Sequence, residues 1–221
     1  GPWKLFLQKD FGGYPWTADK HGGYACTIPS KFISEDGREM WVLSATFNGG
    51  AQQYRFTARK LTVDPYDPQG ASNTRSENNL ALDGAVPYTR SNRYGKEYVL
   101  SDGDKTSAED SWTGEMKKED FWGYTYPDYK NFNTVEYTTG NIDTKGGYFD
   151  DLRVQVRRGL EWVDVEGLKI SPDYSFDENV KPFTTYILTF DEIDADGIRI
   201  VGNPGGTLSY TSVAELAVYY R

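Results

Sequence analysis

The sequence predicts an all-β protein, a β-sandwich preceded by an antiparallel β-meander. Helical periodicity is nearly absent, and short runs alternate apolar with polar residues instead. Clusters of Gly, Asn, Asp and Pro, the residues that tight turns require, separate those runs in a chain holding 23 Gly and 10 Pro. The alternating runs bury one side only, which suits two antiparallel sheets packed about 10 Å apart.

Taken in order, residues 3–9, 24–33, 40–47 and 54–63 read as strands. Phe11-Gly12-Gly13, Ser34-Glu35-Asp36-Gly37 and Asn48-Gly49-Gly50 are the turns between them. Such a meander over 1–63 is marginal as a lone sheet and is expected to pack against something. Residues 64–78 carry Asp-Pro and Pro-Tyr turn signals without apolar periodicity and read as a linker. The rest, 79–221, is the size of one ordinary domain. There Leu152, Val154 and Val156 alternate with Arg153, Gln155 and Arg157. Tyr186, Leu188 and Phe190 repeat the pattern, as do Ile198 with Ile200, and Ala214, Leu216, Val218 and Tyr220. Long loops remain at 101–119, 140–151, 167–184 and 202–212, where binding residues on a rigid sandwich usually sit.

Composition narrows the function. Among 221 residues, 24 Lys+Arg face 33 Asp+Glu, a net charge of −9 that opposes a broad grip on nucleic-acid phosphates. No apolar run approaches the roughly 18–20 residues of a membrane span. Cys26 is alone, so no intrachain disulfide forms, and the single His21 argues against a His-based triad or zinc site. The start, Gly1-Pro2-Trp3-Lys4, lacks the regions of a signal peptide, so either a signal was removed or the chain is a piece of something longer.

Several segments resemble a known family. Asn79-Leu80-Ala81-Leu82, then Leu100-Ser101-Asp102-Gly103-Asp104-Lys105-Thr106 with Trp112, is similar to the opening of a discoidin-type (F5/8 type C) galactose-binding-like domain. Gly146-Gly147-Tyr148-Phe149, the run 152–156, Trp162-Val163-Asp164-Val165, Gly197-Ile198-Arg199-Ile200 and the close Val213-Ala214-Glu215-Leu216-Ala217-Val218-Tyr219 continue it in order. The match over 79–221 most resembles family 32 carbohydrate-binding modules, which implies a jelly-roll sandwich. Separately, Ile28-Pro29-Ser30-Lys31-Phe32-Ile33-Ser34-Glu35-Asp36-Gly37 followed by Met40-Trp41-Val42-Leu43 resembles the last blade of a propeller glycoside hydrolase. That likeness implies a fragment from the carboxyl end of a larger secreted enzyme.

Two sites are expected. Asp102-Gly103-Asp104-x-Thr106 places two carboxylates and a hydroxyl within one tight loop, oxygen chemistry that suits Ca²⁺. In the family such a loop is completed by a Glu from the last strand, the position held by Glu215, so a structural calcium on Asp102, Asp104, Thr106 and Glu215 is expected. Sugars need an aromatic platform and a few polar partners. Residues 141–151 offer Asn141, Tyr148 and Phe149, and 202–212 offer Asn203 and Tyr210, with Trp112 a further candidate. The family places these loops at one tip. Galactose-selective members commonly put a His and an Arg in the first loop, and 141–151 holds neither, so no particular sugar is implied.

The run Phe121-Trp122-Gly123-Tyr124-Thr125-Tyr126 puts three aromatics on one face and reads as a packed sheet face rather than a glycan platform. Glycoside hydrolysis needs two carboxylates facing one cleft. The neighbours Glu109-Asp110, Glu119-Asp120 and Asp150-Asp151 do not supply that, and they read as solvated charge. The expectation is a noncatalytic, monomeric, extracellular or cell-surface glycan-binding module. A protein- or lipid-directed adhesion module and a purely structural β-rich support for an enzyme are the alternatives.

Overall fold

The computed structural model describes residues 23–48, 53–62, 68–159 and 161–221. The chain divides into two compact units, Gly1–Asp67 and Pro68–Arg221. The expected strand at 3–9 lies outside the described residues, as does His21.

The first unit holds a sheet of β1 (Gly23–Thr27), β2 (Glu39–Asn48) and β3 (Gln53–Thr62), ordered β1-β2-β3 and antiparallel. β2 and β3 pair without a slip from Glu39↔Thr62 to Asn48↔Gln53. The strand expected over 24–33 stops at Thr27, because Pro29 has no N–H to give a ladder and a 3₁₀ turn, Ser30–Phe32, follows it. The Ser34–Gly37 turn forms as expected, closed by the Gly37 N–H on the Ser34 carbonyl at 2.9 Å. Ile28, Phe32, Ile33 and Trp41 of this unit are exposed.

The second unit carries β4 (Val86–Thr89), β5 (Glu109–Asp110), β6 (Asp120–Thr139), β7 (Arg153–Arg158), β8 (Glu161–Asp164), β9 (Lys169–Ser171), β10 (Thr185–Gly202) and β11 (Ser212–Tyr219). β6 and β10 are long antiparallel partners whose register breaks between Thr189 and Ile193 and again between Ala195 and Gly197. Those breaks divide one continuous ladder into two layers. The later half of β6 pairs with β11 and the early half of β10, which carry β5 and β9 at their edges. The early half of β6 pairs with β4 and the later half of β10, which continues to β7 and β8. The Tyr126 and Phe132 rings lie 5.5 Å apart across the bend of β6. Straight strand would separate them by about 20 Å. The architecture is a jelly-roll β-sandwich.

The core lies between the layers. Leu152, Val154, Val156, Tyr186, Leu188, Phe190, Ile198, Ile200, Ala214, Leu216 and Val218 are all buried, as their alternation requires. So are Trp122, Tyr124 and Tyr126, which makes the aromatic run a core face. The Tyr124 hydroxyl crosses between layers and sits 2.8 Å from the carbonyl oxygens of both Leu100 and Leu216.

Two segments differ from expectation. From Gln69 onward the stretch expected as linker is hydrogen-bonded to the sandwich. The Asn73 side chain accepts from Asn131 N–H at 2.8 Å and donates to its carbonyl at 3.1 Å, and Ser76 N–H reaches Tyr220 O. An amide side chain can pair with backbone as a strand residue does, without leaving apolar periodicity in the sequence. β11, expected to bury one face, buries both, since Val213, Glu215 and Ala217 are covered too. The Leu80–Leu82 and Glu97–Leu100 3₁₀ turns lie against it, and Asn79 Oδ1 accepts from Val218 N–H at 3.0 Å.

Candidate functional site

The loops 141–151 and 202–212 meet at one end of the sandwich. Their backbones are zipped together: Gly147 N–H to Tyr210 O at 2.8 Å, Ser212 N–H to Gly147 O, Leu208 N–H to Lys145 O, Gly205 N–H to Tyr148 O and Asp150 N–H to Asn203 O. So close an approach needs residues without side chains. A Cβ on Gly205 would lie 2.1 Å from Tyr148 Cε2, and one on Gly147 would lie 2.0 Å from Asn141 O, at a φ of +100°.

At this tip the Trp112 and Tyr210 rings stand 6.3 Å apart, tilted by 52°, and both are partly exposed. The Tyr210 hydroxyl faces Asp143 Oδ1 at 3.4 Å, while that oxygen accepts Lys145 N–H at 2.7 Å. Burial, then the Asp143 and Asp110 carboxylates, push the Tyr210 phenol up to about 12, so it stays a hydroxyl donor at any ordinary pH. Arg93 pairs with Asp110 at 3.4 Å. The side chains of Asn141 and Asn203 are exposed. The tip therefore presents two rings, two amides, a phenol and a carboxylate.

Two expected members do not belong to that surface. Phe149 has no exposure: its ring meets Tyr137 edge-on at 6.2 Å, and its N–H donates to the Tyr174 hydroxyl at 2.9 Å. Tyr148 is 5% exposed and packs over Gly205, supporting the loops from within. The zipper covers both sides of this segment, so neighbouring residues that would alternate in a free strand are both enclosed.

Three acids read as solvated or passed over are fully buried. Glu109 takes the N–H groups of Tyr94, Lys96 and Asp110 on its carboxylate, which ties down the loop through Gly95. Asp196 receives Arg157 through two nitrogens at 3.0 and 2.6 Å. Asp120 receives hydroxyls from Ser111 and Thr211. For Asp120 the sequence held a signal, since it shares the phase of Trp122, Tyr124 and Tyr126 and so faces inward with them. For Glu109 it held none, because the backbone that buries it lies thirteen to fifteen positions away.

The expected metal residues lie in the loop 102–106 and on β11. Gly103 N–H donates to Glu215 Oε2 at 3.1 Å, so the loop meets the last strand. Asp102 accepts Asp104 N–H, and Asp104 accepts both the N–H and the hydroxyl of Thr106. Burial, and then the Asp102 and Asp104 charges, push the Glu215 carboxyl up, opposed by Gly103 N–H and Lys105. The donor set is hard oxygen and suits a divalent cation. Its carboxylates are spread rather than gathered: among the described residues no cluster of three or more His, Cys, Asp or Glu is arranged to hold a metal ion.

No family model matches the chain and no curated protein matches it. Solved structures do. A chain of the Streptococcus pneumoniae beta-galactosidase BgaA superposes with a TM-score of 0.53 at 11% identity, covering 62% of this chain and 98% of its own. The family 32 module of Clostridium perfringens NanJ, in complex with galactose, gives 0.49 at 17% identity over 64% and 97%. A module, CBM32-3, from a Clostridium perfringens family 31 glycoside hydrolase gives 0.47 at 16% over 65% and 99%. The first likeness is one of fold. Among the described residues no helix is long and apolar enough to cross a membrane.

Proposed function

We propose that this chain is a noncatalytic carbohydrate-binding module that holds glycan at the loop tip of its sandwich. The observation that carries this reading is the partly exposed Trp112–Tyr210 pair beside Asp143 on two zipped loops. Aromatic faces stack on the C–H face of a sugar ring, while amides, carboxylates and phenols take its hydroxyls. Asn141 and Asn203 supply further polar contacts, and the backbone zipper fixes the geometry before ligand arrives, which limits the ordering cost of binding. The family 32 module of NanJ holds galactose, and a galactoside is the first ligand to test on this chain.

The same reading includes a structural Ca²⁺ held by Asp102, Asp104, Thr106 and Glu215. Its charge would offset the mutual repulsion of the acids and the burial of Glu215, and would fasten the loop to β11. The module would belong to the carboxyl end of a larger secreted glycan-active enzyme, act outside the cell or at its surface, and work as a monomer. Residues 1–63 would descend from a propeller blade.

Calorimetric titration against galactosides, amino-sugar oligomers and uronic-acid oligomers, with millimolar Ca²⁺ present, tests the binding. Trp112→Ala and Tyr210→Ala should each abolish measurable affinity while leaving the fold intact. A chain that binds no panel member refutes the reading. Chelation with EDTA should lower the unfolding temperature and Ca²⁺ should restore it, whereas an unmoved transition argues against a bound metal.

A further inference from the structure

Asp120 has no exposed surface, yet its carboxylate joins the two segments that carry the tip aromatics. Its Oδ2 lies against the Ser111 hydroxyl and 2.6 Å from the Thr211 hydroxyl, and its Oδ1 accepts Phe121 N–H at 3.0 Å. Ser111 precedes Trp112 in the chain, and Thr211 follows Tyr210.

Two groups that can only donate flank the two hydroxyls. Trp122 Nε1 can only donate, and it donates to Thr211 Oγ1 at 2.7 Å. Thr211 N–H can only donate, and it donates to Ser111 Oγ at 3.0 Å. Each hydroxyl has a single proton, and in both cases the bond to Asp120 Oδ2 leaves that proton directed at the carboxylate. One carboxylate oxygen thereby meets both hydroxyls. Lys117 supplies the neighbouring positive charge, with its Nζ on Ser111 O. The backbones are drawn together at the same point by Ser111 N–H on Thr211 O at 3.0 Å.

We propose that Asp120 is a positioning residue that sets the spacing and tilt of the Trp112–Tyr210 pair through Ser111 and Thr211. Its bearing on ligand rests on the glycan-binding reading, but its structural content does not. An apolar residue here would leave the buried Ser111 and Thr211 hydroxyls without their shared acceptor. What a carboxylate adds is a fixed direction for two hydroxyls on separate loops. Asp120 thus acts on the presentation of the rings, without touching ligand.

The test uses the full chain and needs no ligand for its first arm. The Trp112 contribution to the near-ultraviolet circular dichroism spectrum is defined as the difference between wild type and Trp112→Phe. Asp120→Asn should lose most of that contribution while its far-ultraviolet spectrum stays native. Thr211→Val should lose it too, and Thr211→Ser, which keeps the hydroxyl, should retain it. Persistence of the band in folded Asp120→Asn or in Thr211→Val overturns the proposal. If Asp120→Asn does not fold, the contrast between Thr211→Val and Thr211→Ser decides alone. In the second arm, a galactoside bound by wild type should bind Asp120→Asn at least tenfold more weakly, and equal binding overturns the proposal. A wild type that binds no galactoside bears only on the glycan reading and leaves the spectroscopic outcome standing.

Discussion

Gly205→Ala isolates the steric demand of the loop zipper. A Cβ built at this position would lie 2.1 Å from Tyr148 Cε2, 2.5 Å from Asp150 Oδ1 and 2.6 Å from Tyr148 Cδ2. Carbon atoms rest at about 3.5–4.0 Å, so the Tyr148 ring must retreat by more than an ångström. With 5% exposure it has no open space to enter without parting Gly205 N–H from Tyr148 O, now at 2.9 Å. Overpacking of this kind costs about 1–3 kcal/mol. At about 2–4 °C per kcal/mol for a chain of this size, the unfolding temperature should fall by roughly 2–12 °C. Scanning calorimetry on four proteins forms a cycle: wild type, Gly205→Ala, Tyr148→Ala and the double variant. Once Tyr148 is truncated, the nearest remaining neighbour of the added methyl group is the exposed Asp150 carboxylate, which can swing away, so the second substitution should cost less than about 0.5 kcal/mol. An equal loss from Gly205→Ala in both backgrounds would refute the argument, because the damage would then be backbone and not ring.

Two further outcomes follow from the buried polar groups. Tyr126 Oη is buried without a hydrogen-bond partner among the described residues, so Tyr126→Phe should be neutral or stabilising by up to about 1 kcal/mol in urea unfolding, whereas Tyr124→Phe, which removes the one proton shared between the Leu100 and Leu216 carbonyls, should cost about 1–3 kcal/mol. Burial raises the Asp120 carboxyl above the ordinary aspartate range, against the pull of Ser111, Thr211 and Lys117, so the folded chain holds that proton to higher pH than the unfolded one. Stability from this group is therefore present at low pH and lost as pH rises from about 3.9 through the raised value. Wild type should lose stability relative to Asp120→Asn over that window in thermal melts, and parallel curves would exclude the assignment.

Most of the sandwich was legible because alternation records burial directly. The runs 152–156, 186–190 and 198–200 each show an apolar residue at every second position, and each buries that face. Alternation records only one face, however. Glu215 and Ala217 gave no sign that 3₁₀ turns more than a hundred positions earlier would cover them. The bend that makes one ladder into two layers was equally hidden, since it arises from breaks in the β6–β10 register rather than from a turn motif. At the tip, the placement of 141–151 beside 202–212 came from family likeness, and the structure joins them. Phe149 was misplaced because its loop pairs like a strand on both sides. Asp143, opposite Tyr210, was passed over because an acid in a Gly-rich loop looks like any solvated turn residue.

The buried Arg157–Asp196 pair shows what the polar interior of this fold contributes. Asp196 has no exposure and sits in β10 between Ala195 and Gly197, where the register to β6 breaks. Arg157 comes from β7 and grips its carboxylate with Nε at 3.0 Å and Nη2 at 2.6 Å, which leaves the Arg 15% exposed. Desolvating two charges consumes most of their attraction, so such a pair adds little net stability, although removing one partner is severe. Arg157→Met alone should cost about 3–5 kcal/mol, because the buried Asp196 carboxyl would lose its bidentate partner. The double substitution Arg157→Met with Asp196→Leu should recover most of that loss. The expected gain from keeping the ions is geometric. Bidentate pairing fixes where β7 lies against the bend of β10, and hence where the later half of β10 delivers Gly202 and the loop that carries Tyr210. The double variant should then melt close to wild type while the Trp112–Tyr210 signal in the near ultraviolet broadens. A double variant as unstable as the single one would mean that the pair supplies net stability, and the separation of polar geometry from apolar stability would fail.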